Sequence, residues 1–149
     1  MEIANKKKDL SFVISVNRKP NEVFDAVNNV RAWWSGEITG RTDKLGAQFT
    51  YRYKDVHCTT QKITEMVPNK RVVWHVVESQ INFVKDKSEW IDTEIVFEID
   101  GKGDKTELRF THIGLVPTIE CYGGCSGAWQ FYIKDSLRKL ILTGKGKPN

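Results

Sequence analysis

The sequence predicts an α+β domain in which a curved antiparallel sheet of about six strands wraps around one long C-terminal helix. Three observations lead to this prediction. Much of the middle of the chain alternates apolar and polar residues, as strands with one buried face do. Residues 20–34 and 129–141 instead repeat apolar residues every three or four positions, as helices do. A sheet with one apolar face can be covered by a single amphipathic helix, so these segments fit one domain.

The strands are predicted from alternation between turn sequences. The first, SFVISV, places Phe12, Ile14 and Val16 on one face. Later strands lie in AQFTYRY, KRVVWHVVE, WIDTEIVFEID and TELRFTHI, and HCTTQKITEM is a weaker sixth candidate. The turn sequences DKLG, VPNK and DGKGDK separate several of them. The predicted inward residues of the later strands are Phe49, Tyr51, Tyr53, Val72, Trp74, Val76, Ile91, Thr93, Ile95, Phe97, Ile99, Leu108, Phe110 and His112.

Two short helices are predicted after the first strand, in KPNEVFDAVNNVRAWW. Pro20 suits the first turn of a helix, and Val23, Val27 and Val30 recur at helical spacing. The asparagine pair at 28–29 divides the segment into two pieces.

One long helix is predicted near the C-terminus. Its apolar stripe consists of Trp129, Ile133, Leu137, Leu140 and Ile141. Gly144 follows as a typical helix stop, because glycine adopts the left-handed conformation that ends many helices.

Length and composition favour a single globular domain. The chain has 149 residues, of which 40% are hydrophobic and 11% aromatic, enough for a substantial core. No linker or internal repeat divides it. We therefore predict one domain over residues 10–144, with short tails at residues 1–9 and 145–149.

Charge and cysteine content argue against several classes of protein. The net charge of +4 is modest, and no segment interleaves clustered basic residues with aromatics, so nucleic acid is not an expected partner. No segment reaches the roughly 18 consecutive apolar residues that a membrane span needs. Three cysteines do not make a disulfide framework, and they favour a reducing cytoplasm.

Cys121 and Cys125 are the most suggestive pair for metal or redox chemistry. They would share one helical face, where His112 or His57 could complete a metal site. Zinc sites use tighter cysteine spacing and a second ligand pair, so we favour a structural role and predict no metal and no cofactor. Paired carboxylates, a nucleophile elbow, a phosphate loop and a zinc-protease motif are all absent from the sequence, and we predict no catalytic residue.

His112 is the most interesting single residue. Alternation places it with Leu108 and Phe110 on the inward face, where it could hydrogen-bond a ligand carbonyl or act as a general base. The interpretation we favour is a histidine whose nitrogens are satisfied by backbone groups at the strand end.

Large rings dominate the predicted inward face, and they can either fill a core or line a cavity. Of the adjacent Trp33 and Trp34, we expect one to pack in the core and the other to border the cavity mouth. The hydroxyls of Tyr51, Tyr53 and Thr93 would be the few polar groups on the inner wall that orient a ligand. The residues predicted to border a cavity are Trp33, Trp34, Phe49, Tyr51, Trp74, Thr93, Phe97, Phe110, His112, Trp129 and Ile133.

Several motifs in this order also resemble a known group of proteins. KPNEVFDAVNNVRAWW, KITEMVPNKRVVWHV, and THIGLVP leading into GAWQFYIKDSLRKLILTGKGKPN are similar to the START-related helix-grip (SRPBCC) superfamily. Within it the chain resembles the activator of heat-shock-protein-90 ATPase-like family, over roughly residues 10–149. The resemblance implies a helix-grip fold with a deep cavity between sheet and C-terminal helix, and no shared catalytic constellation.

Three functions follow as hypotheses. The first is non-enzymatic binding of a small hydrophobic or amphipathic molecule in the cavity. The second is a chaperone-associated interaction module, which the family resemblance implies. The third is a cyclase- or hydrolase-like enzyme that uses His112 inside the cavity. We expect a monomer or a weak homodimer.

Overall fold

The computed structural model describes residues 9–34, 36–82, 85, 89–116 and 122–147. These described residues include three helices. These are α1 (Pro20–Asn28), α2 (Val30–Trp33) and α3 (residues 122–143), a continuous helix with α-helical Tyr122–Gln130, π-helical Phe131–Leu137 and α-helical Arg138–Thr143. The strands are β1 (Leu10–Val16), β2 (Glu37–Gly40), β3 (Gln48–Tyr53), β4 (His57–Val67), β5 (Arg71–Ile81), β6 (Glu94–Lys102) and β7 (Lys105–Ile113).

The strands form one antiparallel sheet in the order β1-β7-β6-β5-β4-β3-β2. From β2 to β7 each strand pairs with the next strand in the chain, and the last strand, β7, also pairs with the first, β1. Register shifts between Thr60 and Gln61, and between Ile63 and Glu65, mark irregularities in the β4–β5 ladder, a feature that bends strands. The predicted α+β class, with a curved antiparallel sheet around a C-terminal helix, is confirmed.

The predicted inward faces of the central strands form the core. Trp74 on β5, Phe97 on β6 and Phe110 on β7 are each 0% exposed, and Phe97 and Phe110 face each other across the β6–β7 ladder. Full burial of a side chain of this size stabilises a fold by roughly 1.5–3 kcal/mol. Alternation therefore located the core.

Two details of the strand prediction were wrong. The sheet has a further edge strand, β2, and the strand predicted from residue 90 begins only at Glu94. The backbone turns at residues 90–93, where Asp92 has a positive φ of 67° and the Thr93 amide donates a hydrogen bond to the Trp90 carbonyl. Ile91 is consequently 40% exposed rather than buried with Ile95.

Helix α3 buries the predicted apolar stripe, with Ile133 and Leu137 0% exposed, and it ends at Gly144 with a left-handed φ of 84°. The buried Ser136 hydroxyl donates to the carbonyl of Trp33 at the end of α2, at 2.7 Å. This bond ties the π-helical segment to the short helices. No helix within the described residues is long and apolar enough to cross a lipid bilayer.

Candidate functional site

A cavity of about 290 Å³ lies between the N-terminal half of α3 and the part of the sheet formed by β3 and the start of β4. Seven of its eleven lining residues carry aromatic rings, counting histidine. Ligand pockets typically begin at roughly 300 Å³ and are mostly apolar. The lining residues are Trp34, Tyr51, Tyr53, Val56, His57, Trp90, Gly124, Cys125, Ala128, Trp129 and Tyr132.

One wall of the cavity is a stack of rings. Trp34 follows α2 and lies parallel to Tyr51 of β3, with 4.0 Å between ring centroids and 5° between ring planes. Trp129 of α3 lies 5.1 Å from Trp34 at a tilt of 30°. Because each ring is held by the next, this wall is preorganised to accept a flat apolar molecule.

His57 and Trp90 form a polar corner in this apolar lining. Their rings meet edge to face at 4.5 Å, and His57 also contacts Tyr51 at 5.3 Å. Burial lowers the pKa of His57 to about 4, so the ring is neutral near pH 7. His57 Nδ1 and Trp90 Nε1 are buried and have no hydrogen-bond partner among the described residues.

Behind Trp90 and Trp129 lies a directed hydrogen-bond chain centred on His112. The indole N–H of Trp129 donates to His112 Nδ1 at 3.1 Å, and His112 Nε2 lies 2.9 Å from the Thr93 hydroxyl. An indole N–H only donates, so Nδ1 accepts and the imidazole proton resides on Nε2. The Thr93 hydroxyl in turn donates to the Trp90 carbonyl at 2.6 Å. Burial, with a smaller effect of His57, lowers the pKa of His112 to about 3.

This chain corrects one expectation about His112. Its nitrogens are satisfied by two side chains, those of Thr93 and Trp129, rather than by backbone groups. His112 does not line the cavity, and neither nitrogen is available to a ligand there. The inward orientation predicted from alternation is correct, since the side chain is 0% exposed.

The structure brings three of the predicted cavity residues to the cavity: Trp34, Tyr51 and Trp129. Trp33 packs in the core, as expected for one of the two adjacent tryptophans. The predicted residues that pack in the core without lining the cavity have exposed fractions between 0% and 8%, and they are Trp33, Phe49, Trp74, Thr93, Phe97, Phe110, His112 and Ile133.

The cavity residues outside that prediction come mainly from two places. His57 is the first residue of β4 and Trp90 lies in the turn before β6, while Gly124, Cys125 and Ala128 occupy the first turns of α3. A sequence signal exists for the second group, because small residues at spacings of one and three on a helix leave space beside it.

Of the two cysteines considered for metal or redox chemistry, Cys121 lies outside the described residues. Cys125 is 5% exposed and lines the cavity. Within the described ranges, no group of three or more His, Cys, Asp or Glu side chains is placed to hold a metal ion.

Comparison with known proteins gives the family and the fold. A family model described as "Activator of Hsp90 ATPase homolog 1-like protein" matches residues 17–141. No curated protein sequence matches the chain. The Aha1 dimer from Colwellia psychrerythraea, solved in solution, is similar in structure, with a TM-score of 0.74 and 24% identity over 93% of this chain and 98% of that chain.

Two further solved structures share the fold. DynU16, described as a putative protein in the dynemicin biosynthetic locus, has a TM-score of 0.69 at 17% identity, over 95% of this chain and 50% of that one. CalU16 from Micromonospora echinospora has a TM-score of 0.64 at 15% identity, over 91% of this chain and 76% of that one. With sequence identities of 17% and 15%, the structural similarity shows that these proteins share the fold of this chain.

Proposed function

The chain belongs to the Activator of Hsp90 ATPase homolog 1-like family, and from that premise we propose that it binds a small apolar or amphipathic molecule without transforming it. The observation that carries the proposal is the aromatic cavity of about 290 Å³. Larger depressions on the outer surface, such as one of about 560 Å³ beside Arg71 and Glu98, are bordered by charged side chains and suit solvent.

The lining explains why we propose binding rather than catalysis. His112, the predicted general base, has both nitrogens engaged away from the cavity. His57 is the histidine of the lining, and its pKa of about 4 makes it a weak base near neutral pH. No carboxylate, lysine or arginine is among the lining residues of the described chain. A cyclase- or hydrolase-like activity therefore has no evident acid–base pair here.

Filling the cavity tests the proposal. Ala128 is exposed on α3 yet lines the cavity, so Ala128→Phe places a ring in the cavity without disturbing the core. Gln130→Phe is the matched control, because Gln130 is exposed on the same helix and lies outside the lining.

The measurement is native mass spectrometry of protein purified from its own cells, followed by titration with naphthalene as a probe. We expect a co-purifying small molecule and naphthalene binding in the wild-type chain and in Gln130→Phe, both reduced at least tenfold in Ala128→Phe. Absence of both in the folded wild-type protein would contradict the proposal.

A second candidate function is that of a chaperone-associated module, which the description of the matching family model favours. Under it, adding the protein to the heat-shock protein 90 of the same cells should raise the ATPase rate. An unchanged rate at saturating protein would remove this candidate. We further propose a cytoplasmic location, since three cysteines suit a reducing compartment, and a monomer or weak homodimer, which sedimentation would distinguish.

A further inference from the structure

A basic depression lies on the outer side of α3, where residues 144–147 fold back beside the helix. It encloses about 260 Å³ and shares no lining residue with the aromatic cavity. Four of its lining residues are cationic and one is anionic, a net charge of +3, and all five are exposed to solvent. The lining residues are Lys134, Asp135, Arg138, Lys139, Leu142, Thr143 and Lys147.

The charges of this lining are unbalanced, which distinguishes it from other depressions on the surface. In the one beside Arg71 and Glu98, those two side chains form an ion pair at 2.9 Å. In another, Arg41 pairs with Asp43 at 3.1 Å. None of the four cations of the basic depression forms an ion pair with any residue that the structure describes. Like charges one helical turn apart repel, so an anion bound among them would relieve that repulsion.

Two of the cations are positioned by aromatic rings. Lys134 Nζ lies 4.9 Å from the ring centroid of Phe12, and Lys147 Nζ lies 5.8 Å from that of Phe131. A ring face attracts a cation without neutralising its charge. Both lysines are therefore partly ordered before an anion arrives, which lowers the entropic cost of binding one.

The π-helical segment groups the other two cations with Lys134. The amide of Arg138 reaches back five residues to the carbonyl of Ile133, as in a π-helix. Where π-helical turns pass into α-helical ones, residues four and five positions later both lie about one turn further along the same side. Arg138 and Lys139 stand at these two spacings from Lys134, and all three line the depression.

The fourth cation is supplied by the chain after α3. Gly144 reverses its direction with a left-handed φ of 84°, and the amide of Lys147 donates to the buried Ser136 hydroxyl at 2.9 Å. Gly146 passes so close to the Ala32 carbonyl that a side chain there would collide with it. Tertiary contacts therefore hold Lys147 beside the helix.

The end of α3 does not present bare carbonyls to an anion. The C-terminal carbonyls of a helix carry partial negative charge, which would disfavour one. Here the guanidinium of Arg18 donates to the Leu142 carbonyl at 2.7 Å, and the Gly144 amide donates to the Leu140 carbonyl at 2.8 Å. Cationic side chains thus dominate the field at this end of the helix.

We propose that the basic depression binds a free, compact anion with several phosphate charges, a pyrophosphate or the polyphosphate group of a nucleotide. The four cations border one depression, which suits a compact anion better than an extended acidic peptide. The planar guanidinium of Arg138 can donate two parallel hydrogen bonds to phosphate oxygens, and the lysines add point charges.

A phosphate on a lipid headgroup has the same chemistry, but the surroundings favour a free anion. A helix that lies on a membrane inserts apolar side chains beside its basic ones. Within the described ranges, no large apolar residue of α3 or of residues 144–147 is exposed.

Calorimetric titration of the full chain with pyrophosphate tests the proposal. We expect a dissociation constant below about 1 mM at about 20 mM salt, where charges are screened little, and weaker binding at higher salt. In ¹H–¹⁵N spectra the backbone amides of Lys139, Thr143 and Lys147 should shift with pyrophosphate, whereas the indole signal of Trp129 in the cavity should not.

Substitutions of exposed side chains identify the site. Arg138→Gln and Lys139→Gln should each weaken binding about three- to tenfold, because one pair of unit charges about 4 Å apart in water corresponds to a roughly fivefold change in affinity. Asp135→Asn removes the carboxylate of the lining and should strengthen binding by a similar factor, a gain that misfolding cannot produce. Lys105→Gln is the matched control, because this exposed residue lies outside the depression and its loss changes the net charge equally.

Three outcomes would overturn the proposal. The first is the absence of heat and of amide shifts with pyrophosphate in the folded chain. The second is a loss of affinity in Lys105→Gln as large as that in Arg138→Gln, which would show a response to net charge alone. The third is binding to phosphatidylcholine vesicles that contain phosphatidylinositol bisphosphate without binding of pyrophosphate, which would identify a lipid headgroup as the source of the phosphate.

Discussion

Lowering the pH from about 7 to about 5 is expected to destabilise the protein through its two buried histidines. An unfolded histidine has a pKa near 6.5, whereas burial holds the pKa of His57 at about 4 and that of His112 at about 3. As the pH falls below about 6.5 the unfolded chain therefore binds protons that the folded chain refuses. This contribution to stability is fully present above the unfolded pKa and is lost as the pH falls towards the folded values.

The size of the loss follows from the pKa differences. Each unit of difference corresponds to about 1.4 kcal/mol, so His57 accounts for about 3 kcal/mol and His112 for about 5 kcal/mol over the whole range. Between about pH 6 and pH 5 each histidine contributes a slope of about 1 kcal/mol per pH unit, or 2–3 kcal/mol for both. By pH 4 the two histidines together have lost about 6 kcal/mol, which is enough to unfold a protein at the lower end of the typical stability range of roughly 5–15 kcal/mol.

Urea unfolding followed by tryptophan fluorescence at several pH values measures this slope. His57→Phe removes one titrating group together with an unpaired nitrogen, and it should halve the slope between about pH 6 and pH 5. A wild-type slope near zero in this window, or an equal slope in the variant, would show that the histidines are not buried as neutral rings.

Two further predictions concern the tail after α3 and the outer face of the sheet. A Cβ at Gly146 would lie 2.3 Å from the Ala32 carbonyl oxygen, so Gly146→Ala should destabilise the fold by about 1–3 kcal/mol in urea, whereas Gly127→Ala on α3, with open space around it, should stabilise it by about 0.5–1 kcal/mol. On the sheet, a hydrogen bond from His75 to Asp92 at 3.0 Å raises the pKa of His75, and an NMR titration should show this pKa falling in Asp92→Asn. The stabilisation from the His75–Asp92 pair is present below about pH 6.5 and is lost as the pH rises through the raised pKa of His75. An unchanged pKa of His75 in Asp92→Asn would contradict the role of Asp92.

The strands were predictable where their inward residues are apolar. β2 was not predicted because it has only four residues, Glu37–Gly40, at the sheet edge, and a single partly buried apolar residue, Ile38, does not make an alternating pattern. β4 gave only a weak signal although it has eleven residues, because its first inward positions are polar: His57, Thr59 and Gln61 are 9%, 1% and 0% exposed. Alternation of hydrophobicity cannot detect a buried face made of polar side chains.

The cavity was predictable only in part, because alternation tells which face a residue occupies and not what lies above it. Trp74 and Tyr51 both point inward, yet only Tyr51 reaches the cavity. Trp90 was predicted to begin a strand, but it lies before β6, and its burial at 3% exposure depends on rings from β4, β7 and α3. Contacts between segments so far apart in sequence leave no local pattern.

Side-chain size along α3 decides where the sheet is covered by packed atoms and where a cavity remains. The first turns place Gly124, Cys125 and Ala128 along the cavity, and side chains this small leave space above the sheet. Past the cavity, Ile133 and Leu137 are 0% exposed and fill the same interface. Both residues belong to the π-helical segment Phe131–Leu137, whose wider turns change the face that the helix presents to the sheet. Small residues on the helix therefore leave the cavity open, which explains why one added ring at position 128 should reduce binding at least tenfold.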